Sequence, residues 1–313
     1  MYGIVNLLAQ ICGIFGLVAI GFIVSKRGQL SEITLNELSH LIMSILMPAF
    51  IFFSIATSVN PGELKEAPIA VAAGMSVCIL NYALAAWASG PLKVDREDRS
   101  IFRVMSMTGN TGYIGLPLCA ALFGATGTLL AVLFNFGTDL IILTIGIWDL
   151  KGGPRSSHQK SGWKSLWANP LILSAVAGIF WVISGLKLPD FASQPLSLAG
   201  QMTLPAALLM VGAQLGRIKL TNRQFIFQIA GSAVIRMLVS PLLFILVIAA
   251  AWTWGPAAQI IVLLSAMPIG ISPTLLGRAC GRDTSLSATA ALWTTAAFPI
   301  IIAPLIFFMS NGG

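Results

Sequence analysis

Two ionisable residues stand inside long apolar runs: Asp139 in "NFGTDLIIL" and Arg236 in "SAVIRMLVS". Each lies 11 residues into its run, and at about 1.5 Å per residue that is roughly 16 Å from the nearer end. An unpaired charge at such a depth in a bilayer costs at least about 2.5–3.5 kcal/mol. Each therefore needs a partner or has a task. Asn135 precedes Asp139 by one turn on the same helical face. Together they could give oxygens to a cation, or a desolvated Asp139 could carry a proton. Arg236 could serve in an ion relay or as a substrate counter-ion. The two charges could equally form a mutual salt bridge that holds their helices together.

A second kind of chemistry is written in "TGNTGYIGLPL", Thr108 to Leu118, and in "MPIGISP", Met267 to Pro273. Glycine, proline, asparagine and threonine are poor helix formers, yet both stretches interrupt apolar runs of helical length. Proline in a helix interior removes a hydrogen bond and clashes with the preceding turn. Broken backbone at membrane depth is tolerated only where protein or water surrounds it. The use of such a break is electrostatic. A half-helix that starts in mid-membrane presents free N–H groups and roughly half a positive charge, so two such ends make an anion site without Lys or Arg. Asn110, Thr111, Ser272 and Thr274 would add side-chain donors. Gly112, Tyr113, Gly115 and Pro117 would shape the first break, and Pro268, Gly270 and Pro273 the second. The alternative is a pair of proline kinks that serve packing alone. Pro48 and Pro205 lack nearby Gly and Asn clusters and are expected to be such kinks.

The elements that must position these residues follow from composition. The 313 residues are 57% hydrophobic and 9% charged, against about 25% charged in a soluble domain. An all-α integral membrane protein is expected, because the apolar runs are continuous rather than alternating as in a barrel. Ten spans are expected: 4–24, 40–58, 68–90, 101–124, 128–149, 168–186, 195–216, 225–250, 256–278 and 284–309. With the N-terminus outside, fifteen of the eighteen Lys and Arg fall in inside loops and two, Lys65 and Lys187, outside. Arg236 completes the count. This positive-inside pattern places both termini outside and explains the net charge of +7 without nucleic acid. No basic segment precedes the first apolar run, so a cleavable leader is not expected.

The chain also matches itself. Pro48-Ala49 and Pro205-Ala206 differ by 157 positions, Pro117 and Pro273 by 156, and Gly124 and Gly281 by 157. A five-helix unit used twice is implied, over 1–149 and 166–313, joined by a polar cytoplasmic linker at 150–165. Five being odd, the second copy enters the membrane inverted, and paired broken spans in inverted repeats mark transport sites. The four cysteines, Cys12, Cys78, Cys119 and Cys280, have no ligand spacing and are expected to pack. His40 and His158 are expected to be exposed. Trp87, Trp148, Trp163, Trp167, Trp252 and Trp254 are expected near span ends. No cofactor and no metal site are expected.

The Asn-Thr-Gly-…-Gly-x-Pro run at 110–117, the Pro-…-Pro run at 268–273 and the 5+5 inverted arrangement resemble the auxin efflux carrier family, which belongs with the bile acid/sodium symporter-like transporters. The resemblance implies that spans 4 and 9 cross at the substrate site. It implies a core of spans 3–5 and 8–10 moving, elevator-like, against a scaffold of spans 1, 2, 6 and 7, which would form a homodimer. The short linker resembles that of bacterial members, associated with small carboxylates such as malate or malonate, and so implies an inner-membrane carrier. Ser272 stands where a second amide would be expected.

The function expected is secondary active transport of a small organic anion, with H+ or Na+ as a possible co-ion and membrane lipid as surroundings. Alternatives are a sodium-coupled symporter of a larger amphipathic anion, an anion channel or a membrane sensor. An enzyme is not expected. An intramembrane aspartyl protease needs two acids where only Asp139 is present, and a serine hydrolase needs a buried base. No GxxxxGK[ST] sequence for nucleotide binding occurs.

Overall fold

The structure is a computed structural model and describes residues 2–152, 169–218, 225–251 and 254–311. Among these it is all helix, with no β-strand and one isolated antiparallel bridge between Gly109 and Ile269. In chain order the helices are α1 (Tyr2–Lys26), α2 (Glu32–Ser58), α3 (Ala67–Ala88), α4 (Arg99–Met107), α5 (Thr111–Leu150) and α6 (Pro170–Ser184). They continue with α7 (Asp190–Gly216), α8 (Ile226–Ala250), α9 (Pro256–Ser265), α10 (Ser272–Ala279) and α11 (Ser285–Asn311). Among the described residues, six segments are long and apolar enough to cross a membrane: Glu32–Ser58, Leu64–Ala88, Thr111–Leu150, Asp190–Gly216, Ile226–Ala250 and Ser285–Ile306. Shorter apolar helices lie at Phe15–Lys26, Pro170–Ser184 and Pro256–Ser265. The chain is a multi-pass membrane protein.

Local chemistry sets the ends of these helices. Ser31 caps α2 by accepting from the Thr34 amide at 3.0 Å, and Asn169 caps α6 by accepting from the Leu171 amide at 3.0 Å, with Pro170 following at the first helical position. Gly185 ends α6 in the left-handed conformation, φ 67°. Within α5, Gly124 has φ 60° and ψ −138°, a conformation nearly closed to other residues. It turns the chain between the segments expected as spans 4 and 5. Single π turns interrupt α2 at Ile42–Leu46, α5 at Ile142–Gly146 and α8 at Ile235–Val239, and α5 opens with another at Thr111–Gly115. Pro48 follows the first of these turns, and Pro205 lies inside α7.

The chain divides into two compact units, each drawn from both halves of the sequence. The first comprises Met1–Ile69, Gly112–Leu133 and Ser165–Arg217. There α1 lies against α7 with almost no side chain between them: a Cβ on Gly21 would stand 2.0 Å from the Leu209 carbonyl, and one on Gly212 1.9 Å from that of Val18. Helix α2 buries Met47, Ile51 and Ile55, and the Thr203 hydroxyl of α7 donates to its Leu46 carbonyl at 3.0 Å.

The second unit comprises Ala70–Thr111, Phe134–Lys164 and Ile218–Gly313. Its core holds Cys78, Phe102, Met105, Met107, Ile142, Ile269 and Ala290. Helices α3 and α5 approach through Gly74 and Gly137, where an added Cβ would meet a backbone carbonyl at 2.1 Å in each case. Arg103, counted above with the loop charges, stands instead within α4 and grips Asp149 with Nε at 2.7 Å and Nη2 at 2.5 Å. In the loops, burial and the carboxylates of Asp283, Asp95 and Glu97 push the Asp98 carboxyl up. The hydroxyl and amide of Ser285 hold Asp283 below the usual range.

Cys78 and Cys119 are buried and unoxidised, as expected of packing residues. His40 is exposed, as are Trp87 and Trp148. The linker from residue 153 onward, with His158, Trp163 and Trp167, lies outside the described residues, as do Trp252 and the side chain of Cys12.

Candidate functional site

The two helix-breaking stretches meet within the second unit. Helix α4 stops at Met107 and α9 at Ser265, and a few non-helical residues follow each. There the segments pair like a fragment of antiparallel sheet. The Asn110 amide donates to the Pro268 carbonyl at 2.7 Å, and the Gly270 amide donates to the Thr108 carbonyl at 3.1 Å. Glycine is needed at both positions for packing. A Cβ on Gly270 would press on the Gly109 carbonyl at 3.1 Å, and one on Gly109 would overlap the Arg236 guanidinium at 1.9 Å. A third amide, that of Ile269, donates to the Thr294 hydroxyl of α11 at 3.1 Å.

These bonds narrow one expectation. The amides of Asn110, Ile269 and Gly270 are spent inside the protein, Pro273 has no N–H, and the Thr274 amide donates to the Ile271 carbonyl at 3.0 Å. The crossing therefore has less free backbone N–H than two bare helix starts would give. Asn110, Thr111 and Thr274 are buried, with 6%, 4% and 5% of their surfaces exposed. The Thr111 hydroxyl donates to Asn135 Oδ1. Thr274 Oγ1 shares a hydrogen bond of 2.9 Å with the Ser287 hydroxyl. Ser272 is exposed at the first position of α10, and Pro268 and Pro273 are buried. Gly112, Tyr113, Gly115 and Pro117 belong to the first unit, where the Tyr113 hydroxyl meets that of Ser39 at 2.7 Å. A groove of about 430 Å³ in that unit is lined by Phe53, Ser193, Gln194, Ser197 and Leu198, none of them an expected site residue.

The two intramembrane charges do not pair. Arg236 is wholly buried. Its Nε donates to the Met267 carbonyl at 3.1 Å and its Nη1 to the Met107 carbonyl at 3.0 Å. The salt bridge considered for Arg236 and Asp139 is therefore replaced by a guanidinium between two backbone carbonyls. The only ion pair among the described residues is Arg103 with Asp149. Asp139 is partly buried, and no hydrogen bond or ion pair reaches its carboxylate from the described residues. Asn135 is brought to Thr111, so one side of the expected cation or proton site is tied to the first break.

Several participants escape a reading by residue type. The Met107 carbonyl also accepts from the Cys78 thiol at 3.4 Å, and Ser106 shares a buried hydrogen bond of 2.8 Å with Ser232, one turn before Arg236. Thr294 and Ser232 are small hydroxyl residues in apolar helices, and their only signal in sequence is the face they share with a break or a charge.

The sequence model of a family described as "Membrane transport protein" matches residues 6–307. An uncharacterized transporter of Methanocaldococcus jannaschii is 26% identical over 299 residues, which are 92% of this chain and 94% of that one. An uncharacterized transporter of Methanothermobacter thermautotrophicus is 23% identical over 72% of this chain and 73% of its own length. The uncharacterized transporter YfdV of Escherichia coli is 21% identical over 93% of this chain and 94% of its own. A match that runs through both breaks and nearly end to end makes the chain a member of this membrane transport family, the auxin efflux carrier family that its motifs resemble.

Proposed function

We propose that the chain is a secondary carrier of a small organic anion, a mono- or dicarboxylate of the malate or malonate kind, working by alternating access. The observation that carries this reading is the meeting of two interrupted helices through the Asn110–Pro268 and Gly270–Thr108 hydrogen bonds. Irregular backbone buried inside a membrane protein is the mark of a transport site. Asn110 presents its amide to the anion from the first break and Ser272 its hydroxyl from the second, while Thr111 and Thr274, whose hydroxyls are engaged with Asn135 and Ser287, brace the site. Ten spans in a 5+5 inverted repeat, with both termini periplasmic in an inner membrane, suit the charge distribution along the chain. An elevator-like division into a moving core and a dimeric scaffold has partial support in the two compact units: the first holds the expected scaffold spans 1, 2, 6 and 7 but also residues 112–133 of the expected core spans 4 and 5, and the second holds the rest of the expected core. Asp139, partly buried and without an ion-pair partner among the described residues, suits the binding of a coupling proton or cation.

The test is a panel of mono- and dicarboxylates titrated into purified protein while its thermal melt is followed. A ligand bound by the folded state raises the melt with its concentration. Saturable stabilisation by at least one small carboxylate, weakened in Asn110→Ala, is expected. No response to any carboxylate, or one equal in Asn110→Ala, would place the substrate elsewhere.

A further inference from the structure

Arg236 does more than fill space. Helices α4 and α9 both end at the crossing, and each helix C-terminus carries roughly half a negative charge. The carbonyls of Met107 and Met267 lie there, and both accept from the one guanidinium. A π turn, Ile235–Val239, sets Arg236 on α8. Ser232, one turn earlier, is tied to Ser106 of α4. Gly109 leaves the room that the guanidinium occupies. Nη2 is buried and has no hydrogen-bond partner among the described residues. The side chain thus puts a full positive charge, with zero exposure, between two helix carboxyl ends.

In secondary transporters, half-helix carboxyl ends and unwound carbonyls are where a coupling Na+ is held. We propose that Arg236 is a tethered cation: its guanidinium holds the crossing together from the position a bound metal cation would take, so this position neither needs nor admits Na+. Arg236 is then a positioning residue. It joins the two broken segments and touches the anion only through them. The inference locates the coupling chemistry of the proposed carrier away from the crossing and leaves Asp139 as the group free to provide it. Its test uses melts alone, so it stands or falls separately from transport.

Removing the side chain leaves two carbonyls facing a vacated, formerly cationic volume. Purified wild type, Arg236→Ala, Arg236→Met and Arg236→Lys are melted in choline chloride, in NaCl and with low ethylguanidinium. Wild type is expected to melt at the same temperature in choline and Na+. Arg236→Ala is expected to melt lower and to recover saturably with ethylguanidinium or Na+. Arg236→Met fills the volume without charge and is expected to show no such recovery. Arg236→Lys, which keeps the charge but loses the fork, is expected to melt between wild type and Arg236→Met. This ordering still decides the matter if Arg236→Ala cannot be purified. The proposal is overturned if Arg236→Met melts as high as Arg236→Lys, because volume rather than charge would then hold the crossing. It is also overturned if ethylguanidinium leaves Arg236→Ala unchanged, or if wild type gains as much from Na+ as Arg236→Ala does.

Discussion

The crossing depends on which polar groups are already engaged. With three of its amides bonded within the protein, the proposed anion site rests on the side chain of Asn110. A hydrogen bond to a charged group is worth about 1.5–3 kcal/mol, so Asn110→Ala should lower affinity roughly 10- to 150-fold. Its melt without ligand should stay near that of wild type, and calorimetric titration with the best carboxylate checks both. Because the guanidinium of Arg236 is held by two carbonyls and not by a carboxylate, Asp139 and Arg236 should behave as independent sites. In a thermal double-mutant cycle of Asp139→Asn and Arg236→Gln, the coupling should lie within about 0.5 kcal/mol of zero. A true buried pair would show a loss of about 3–5 kcal/mol in each single mutant, with recovery in the double. If Asp139 carries the coupling proton, Asp139→Asn mimics the protonated form. Anion exchange should then persist while uptake driven by a pH gradient disappears. At this scale the sequence marked both charges by their setting in apolar runs. It could not show that the partners of Arg236 are backbone carbonyls, since every residue type has one.

At the scale of elements, what matters is where helices are forbidden to continue. The breaks at 108–110 and 266–271 are legible in composition, because Gly, Pro and Asn remove helix stability one residue at a time. That α4 and α9 end facing each other is not legible, because it depends on tertiary pairing between segments about 160 residues apart. Gly124 is the sharpest local requirement. Its φ of 60° with ψ −138° would cost a residue with a side chain about 1–3 kcal/mol. Gly124→Ala should therefore lower the melting temperature, whereas Gly112→Ala, where an added Cβ meets nothing within 4 Å, should leave it nearly unchanged. Melts of the two variants side by side give the comparison. Equal melts would mean that the turn between the two segments is not built as described.

For the whole molecule, hydropathy and composition identified an all-helical membrane protein, and the short proline and glycine motifs were enough to suggest its family. The division into two interleaved units was hidden, because the order of apolar segments along a chain does not say which of them pack. Topology is the first molecular consequence to test. Cysteines at Gly62 and Gly313 should react with an impermeant thiol reagent added to intact cells. One at Ser156 should react only after lysis. The latter two positions lie outside the described residues, so the expectation rests on the charges of the loops. The central claim is that the paired breaks serve a carrier and not a pore. Counterflow in proteoliposomes tests it most directly. Vesicles loaded with unlabelled malate or malonate are diluted into trace radiolabelled anion, and the label inside is followed with time. A carrier gives transient accumulation above equilibrium that saturates with internal anion and is weakened in Asn110→Ala. Label that only rises to equilibrium, with a rate linear in concentration and indifferent to Asn110, would contradict the account.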